Sequence, residues 1–158
     1  MRVFEIQDIK KFTTDLFLRE TFDGFELFEA DFTTFASFHI DGRRQKDYFD
    51  TAEEEVMEDG EFSLWKEMKP FCLSVIKGRR LPLSFKIILR LPAGHPFAAS
   101  DPALLKEAGS QNLFLNIQYR NRTLTCTTGA SAAAFVPGIT PGQEWDAMAE
   151  RLLFTSQA

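Results

Sequence analysis

From Phe28 to Ile40, apolar and polar residues alternate almost without a break. Phe28, Ala30, Phe32, Thr34, Ala36, Phe38 and Ile40 share one parity, Glu29, Asp31, Thr33, Ser37 and His39 share the other, and Phe35 alone is out of place. Successive side chains of a strand point to opposite faces, so the pattern predicts one long strand with a phenylalanine-rich buried face and a wet face. Asp41-Gly42 follows, a pair that tolerates the positive φ of a tight hairpin. The charged stretch Arg43 to Phe49 is then expected to return as a guarded edge strand.

Other periods mark the remaining elements. Asp8 is a good N-cap for a helix carrying Ile9, Phe12, Leu16 and Phe17. A second helix is predicted from Ser63 to Lys77, with Leu64, Trp65, Met68, Phe71, Cys72, Val75 and Ile76 as its stripe, Pro70 inside it and Gly78 closing it. Leu83, Phe85, Ile87, Leu89 and Leu91 alternate with Ser84, Lys86 and Arg90, a half-buried strand between Pro82 and Pro92. A short helix capped by Asp101, with Pro102 at its first position and Gly109 at its end, leads to the strand Leu113, Leu115, Ile117, Tyr119. A turn at Arg120-Asn121 would set Arg122, Leu124 and Cys126 opposite Tyr119, Ile117 and Leu115. Thr140, Pro141 and Gln143 open a terminal helix striped by Trp145, Met148, Ala149, Leu152 and Leu153.

Strands joined by hairpins pair antiparallel. The predicted class is α+β: a single domain, 1–158, in which an antiparallel sheet of about five to seven strands is covered by two long helices and a C-terminal helix. The two halves look alike at this level, which suggests a duplicated helix-plus-strands unit. Phe28, Phe32, Phe38, Leu83, Phe85, Ile87, Leu115 and Ile117 are the expected core.

Composition sharpens this picture in one respect. The chain has 158 residues and 17 phenylalanines, but two tyrosines and two tryptophans. Rings without a polar handle belong in a core rather than on a base- or sugar-stacking platform. The net charge of -5 argues against general DNA coating. No apolar run approaches a membrane span and no signal peptide opens the chain, so the expected compartment is the cytoplasm, with no membrane partner. Cys72 and Cys126, each in an apolar context, are expected as buried free thiols.

Candidate chemistry is thin. His39 lies on the wet face of the long strand and His95 in a Gly-His-Pro loop. A Cys–His nucleophile would need a cysteine beside one of them, and both cysteines fall on apolar faces. The spacing fits no zinc site, no phosphate-binding glycine loop occurs, and Glu53, Glu54, Glu55, Glu58 and Asp59 fit a solvated charge run better than a cation loop. No cofactor is expected.

Charge segregation stands out instead. Asp47 to Glu61 carries eight acids and no base, whereas Phe62 to Leu91 carries seven bases and one acid. Arg43, Arg44 and Lys46 at the hairpin tip, with Lys77, Arg79 and Arg80 at the second helix's exit, make a candidate surface for an acidic or phosphate-bearing partner. The bland alternative is that cations complement a helix C-terminus and guard an edge strand.

Three segments, Phe4 to Phe12, Thr33 to Gly42 and Lys77 to Lys86, resemble a family of small uncharacterised proteins from gut Clostridia that carry a domain of unknown function. The resemblance covers nearly the whole chain and implies no activity, cofactor or site residue. A looser likeness, of topology alone, is to one subdomain of a DNA sliding clamp. Three functions then stand as expectations. The first is a non-enzymatic interaction module, self-associating through Phe35 and Tyr48 as a homodimer. The second is a nucleic-acid- or nucleotide-associated protein using Arg43, Arg44, Lys46, Arg79, Arg80, Arg120 and Arg122. The third is a small-molecule enzyme built on His39 with Asp31 or Asp41, which requires a pocket there.

Overall fold

The computed structural model describes residues 1–48, 61–78, 80–92, 94–95, 101–132 and 142–155. Along the chain run β1 (Val3–Ile6), α1 (Ile9–Phe17), β2 (Glu26–Thr33), β3 (Ser37–Asp41), a 3-10 turn (Lys46–Tyr48), α2 (Trp65–Ile76), β4 (Ser84–Leu91), α3 (Pro102–Ser110), β5 (Gln111–Arg120), β6 (Thr123–Ala132) and α4 (Gln143–Thr155). The six strands form one antiparallel sheet in the order β1-β6-β5-β4-β2-β3. The fold is α+β, as the pattern predicts.

One face of the sheet carries Ile6, Ala30, Phe32, Phe85, Ile87, Leu115, Ile117 and Cys126, which form one buried cluster with Leu16 of α1, Trp65 of α2, Leu104 of α3 and Trp145 of α4. Both tryptophans bury their rings and still place the indole N–H: Trp65 donates to the Leu16 carbonyl at 2.8 Å and Trp145 to that of Phe114 at 2.8 Å. These two bonds pin α2 to the end of α1, and α4 to the sheet. Local signals hold the helix starts. Asp8 Oδ1 accepts from the Lys11 amide at 3.0 Å and Asp101 Oδ1 from that of Ala103 at 3.0 Å. At the start of α4 the cap comes from another helix: buried Glu107 accepts the amides of Glu144 at 3.2 Å and Trp145 at 2.9 Å.

Several sequence expectations need correction. The long strand over Phe28–Ile40 is a hairpin, β2 and β3, closed by Thr34, Phe35 and Ala36. Both arms keep the same parity, so the alternation continues through the turn. Phe35 breaks it because Phe35 is the turn. Asp41-Gly42 consequently makes no hairpin, and the described part of the expected return strand holds one bridge, Arg43 to Phe62, and the 3-10 turn.

Phe28 does not face the core. A bulge between Leu27 and Glu29 hands the inward position to Leu27, and the Phe28 ring packs on the outer face against Phe62 at 5.1 Å and Phe114 at 5.4 Å. Phe38 has the predicted parity but is half-buried, because β3 is an edge strand. Leu83 lies just before β4 and is 69% exposed. The β5–β6 turn falls at Asn121 and Arg122, with φ of 53° and 61°, so Leu124 faces Tyr119 and Cys126 faces Ile117. That is a two-residue slip, which leaves every side chain on its predicted face. Strand β1 went unforeseen. Thr140 and Pro141 lie outside the described residues.

Candidate interaction surface

The β2–β3 hairpin end gathers exposed apolar side chains. The Thr34 amide bonds the Ala36 carbonyl at 2.9 Å, and this tight closure throws Phe35 outward, 94% exposed. Its ring meets Phe38 edge-on at 5.9 Å. The Leu83 amide bonds the Thr33 carbonyl at 2.8 Å, bringing the approach to β4 alongside the tip with Leu81 and Leu83 both exposed. Sequence reasoning found Phe35 through its broken parity. It missed Leu81 and Leu83, because alternation alone cannot say where a strand leaves the cover of its helices.

Beside this patch runs the outer edge of β3, which among the described residues pairs with β2 alone. Two bonds bracket the hairpin: Thr34 to Ala36 within the turn, and the Gly42 amide to the Phe28 carbonyl at 3.2 Å. Antiparallel bonding alternates, so Phe38 and Ile40 turn their backbone groups to β2, while Ser37, His39 and Asp41 turn theirs outward. The expected partner of Phe35 in this patch, Tyr48, is also largely exposed, but the ring that Phe35 touches is Phe38.

His39 stands on the outer face of the same strand. Its Nδ1 lies 2.7 Å from Asp31 Oδ1 across the strand pair, with the two side chains 57% and 48% exposed. The hydrogen bond to Asp31, then the charge of that carboxylate, holds the imidazole above its usual pKa. The pair is open to solvent on a flat strand face rather than enclosed.

The two basic clusters are not brought together. Arg43 pairs with Glu61 at 2.8 Å and lies over the Phe62 ring at 5.4 Å. Arg44 pairs with Glu67 at 2.8 Å and bonds the Phe62 carbonyl at 3.3 Å. Lys46 is exposed on the 3-10 turn, while Lys77 closes α2 and Arg80 follows it, both exposed. Arg79 and the acids Glu53 to Asp59 lie outside the described residues. The first cluster is anchored beside Leu27, whose amide bonds the Ser63 carbonyl at 2.8 Å. The second leads into Leu83, bonded to Thr33. These are opposite ends of β2, about 20 Å apart. Arg120 ends β5 and Arg122 stands in the β5–β6 turn, at the Ser84 end of β4, the same end to which the second cluster leads.

The other candidates are packed into the fold. Burial pushes the thiols of Cys72 and Cys126 up to about 12. His95 is buried with its ring 5.0 Å from that of Phe25, against Gly24, and burial holds its pKa below the usual value. Among the described residues no group of three or more His, Cys, Asp or Glu could hold a metal ion, and no helix is long and apolar enough to cross a membrane.

The family model of DUF5721, a family of unknown function, matches residues 15–158. The chain belongs to DUF5721. The match takes in the β2–β3 hairpin, β4 and the approach to it, so the whole candidate surface lies within the DUF5721 region and only β1 and the first two turns of α1 precede it. No curated protein and no solved structure matches the chain.

Proposed function

We propose that this DUF5721 protein is a non-enzymatic interaction module whose contact surface is the β2–β3 hairpin end together with the outer edge of β3. The observation that carries this reading is Phe35, a phenylalanine left 94% exposed at a tight turn beside exposed Leu81 and Leu83, against 65% for Phe71, the next most exposed phenylalanine among the described residues. Burying such a side chain gains about 1.5–3 kcal/mol. Phe35, Leu81 and Leu83 together would then supply a large share of the roughly 8 kcal/mol of a micromolar complex.

Two observations favour this over the alternatives. Arg43 and Arg44 already hold carboxylates, which reduces their value for a phosphate backbone. The His39–Asp31 pair has no enclosing walls to exclude water or orient a substrate. A reducing compartment, the cytoplasm, belongs to the same reading, since Cys72 and Cys126 are free.

The test is a photo-crosslinking residue placed at position 35 in the full chain and irradiated in cells. A discrete adduct is expected from position 35 and none from a control at exposed Gln143, at the opposite end of the sheet. Absence of any adduct at 35, or equal labelling at 143, would reject the surface.

A further inference from the structure

We propose that the occupant of the β3 edge is a second copy of this chain, paired antiparallel with it about a two-fold axis through His39. The proposal rests on the interaction reading above and names its partner.

The hydrogen-bond pattern of the edge selects this arrangement. The outward groups belong to Ser37, His39 and Asp41, three alternate residues with His39 at the centre. Antiparallel pairing centred there makes His39 opposite His39 of the second copy a hydrogen-bonded pair, and Ser37 opposite Asp41 another on each side. All outward amides and carbonyls are thereby satisfied at once.

The side chains fit the same axis. On the inner face Phe38 meets Ile40 of the second copy, and both are half-buried apolar residues in the single chain. On the outer face the Ser37 hydroxyl, a donor, meets the Asp41 carboxylate, an acceptor. The two central imidazoles need not collide, because each is drawn sideways over its own hairpin by Asp31 at 2.7 Å. A contact in which residue i meets j and j meets i is what a two-fold dimer requires. An unrelated strand has no reason to match it.

Of the usual guards the edge has no lysine, no proline and no bulge, and its one carboxylate, Asp41, falls opposite Ser37 in this register. The opposite edge differs: β1 has four residues, and Arg2 before it lies over the Phe4 ring at 4.9 Å while pairing with Glu150 at 2.8 Å.

Engineered cysteines test the register. Opposed residues of a hydrogen-bonded antiparallel pair have Cα atoms about 5.5 Å apart, within disulfide range. His39→Cys is therefore expected to form a covalent dimer under mild oxidation. Ser37→Cys alone lies more than about 13 Å from its own copy and is expected to stay monomeric, whereas the double variant Ser37→Cys/Asp41→Cys is expected to cross-link. The native thiols, buried and pushed up to about 12, do not compete. A His39→Cys chain that stays monomeric while the double variant also stays monomeric overturns the proposal. So does a Ser37→Cys chain that dimerises as readily as His39→Cys, which would mean collision without register. An adduct to a different protein at position 35, with no cysteine dimer, would overturn the second copy and leave the interaction surface standing.

Discussion

Gly42→Ala is the most severe small change the structure predicts, and its cost can be worked from the backbone. A Cβ at position 42 would lie 1.8 Å from the Leu27 carbonyl oxygen and 2.7 Å from its carbon. No rotamer relieves this, because the clash is with main chain, so the strands must part. Three bonds run through that point: the Gly42 amide to Phe28 at 3.2 Å, the Ser63 amide to Gly42 at 2.7 Å, and the Leu27 amide to Ser63 at 2.8 Å. At about 1 kcal/mol each, their loss costs about 3 kcal/mol, before any disturbance of buried Leu27 and Phe62. For a domain of this size, that is a fall in melting temperature of roughly 6–12 °C. Gly78→Ala is the internal control: nothing lies within 4 Å of its added Cβ. It should be neutral or stabilising by up to about 1 kcal/mol, through the unfolded chain. Urea denaturation of both variants beside the parent chain measures the difference. A Gly42→Ala loss below about 1 kcal/mol would refute the close approach of β3's exit to β2.

The remaining predictions concern the core, two histidines and a cap. Phe32→Ala, at a position 1% exposed, should cost about 3–5 kcal/mol in chemical denaturation, whereas Phe35→Ser in dilute solution should change stability by less than about 0.5 kcal/mol; the reverse order would mean the hairpin faces the other way. Glu107→Gln keeps the shape of the α4 cap but removes its charge, and should lower stability by about 1 kcal/mol in the same assay. His95 has a lowered pKa in the folded chain, so its contribution is present above the unfolded value near 6.5 and is lost as pH falls from there toward the folded value. His39 is raised, so its contribution is present below about 6.5 and fades as pH rises through the folded value. NMR titration of the two imidazoles should show His39 titrating above His95, and equal midpoints would contradict both environments.

Much of the fold was legible because burial imposes a period. Every inner position from Phe85 to Leu91 and from Leu113 to Tyr119 kept its predicted face, since a helix-covered sheet punishes a one-residue slip. What failed was whatever alternation does not encode. A three-residue turn leaves parity intact, so the Phe28–Ile40 hairpin looked like one strand. A bulge costs one residue of register, so Phe28 changed faces without any mark in its neighbours. Of the candidate surface, Phe35 was visible as an apolar residue on a polar parity. The outer edge beside it was not, because strand order depends on long-range pairing: β1 lies against β6, from the other end of the chain. The charge asymmetry was legible as composition, yet its first cluster proved to be matched locally by Glu61 and Glu67.

Residue-resolved amide exchange across β3 tests the central claim most directly. In dilute solution the amides of Phe38 and Ile40, bonded to β2, should exchange slowly, and those of Ser37, His39 and Asp41 should exchange freely. As the chain is concentrated, the three free amides should become protected together, with the other two unchanged. Protection of Ser37, His39 and Asp41 already present in the dilute chain would contradict the account, and so would free exchange at these three positions at every concentration.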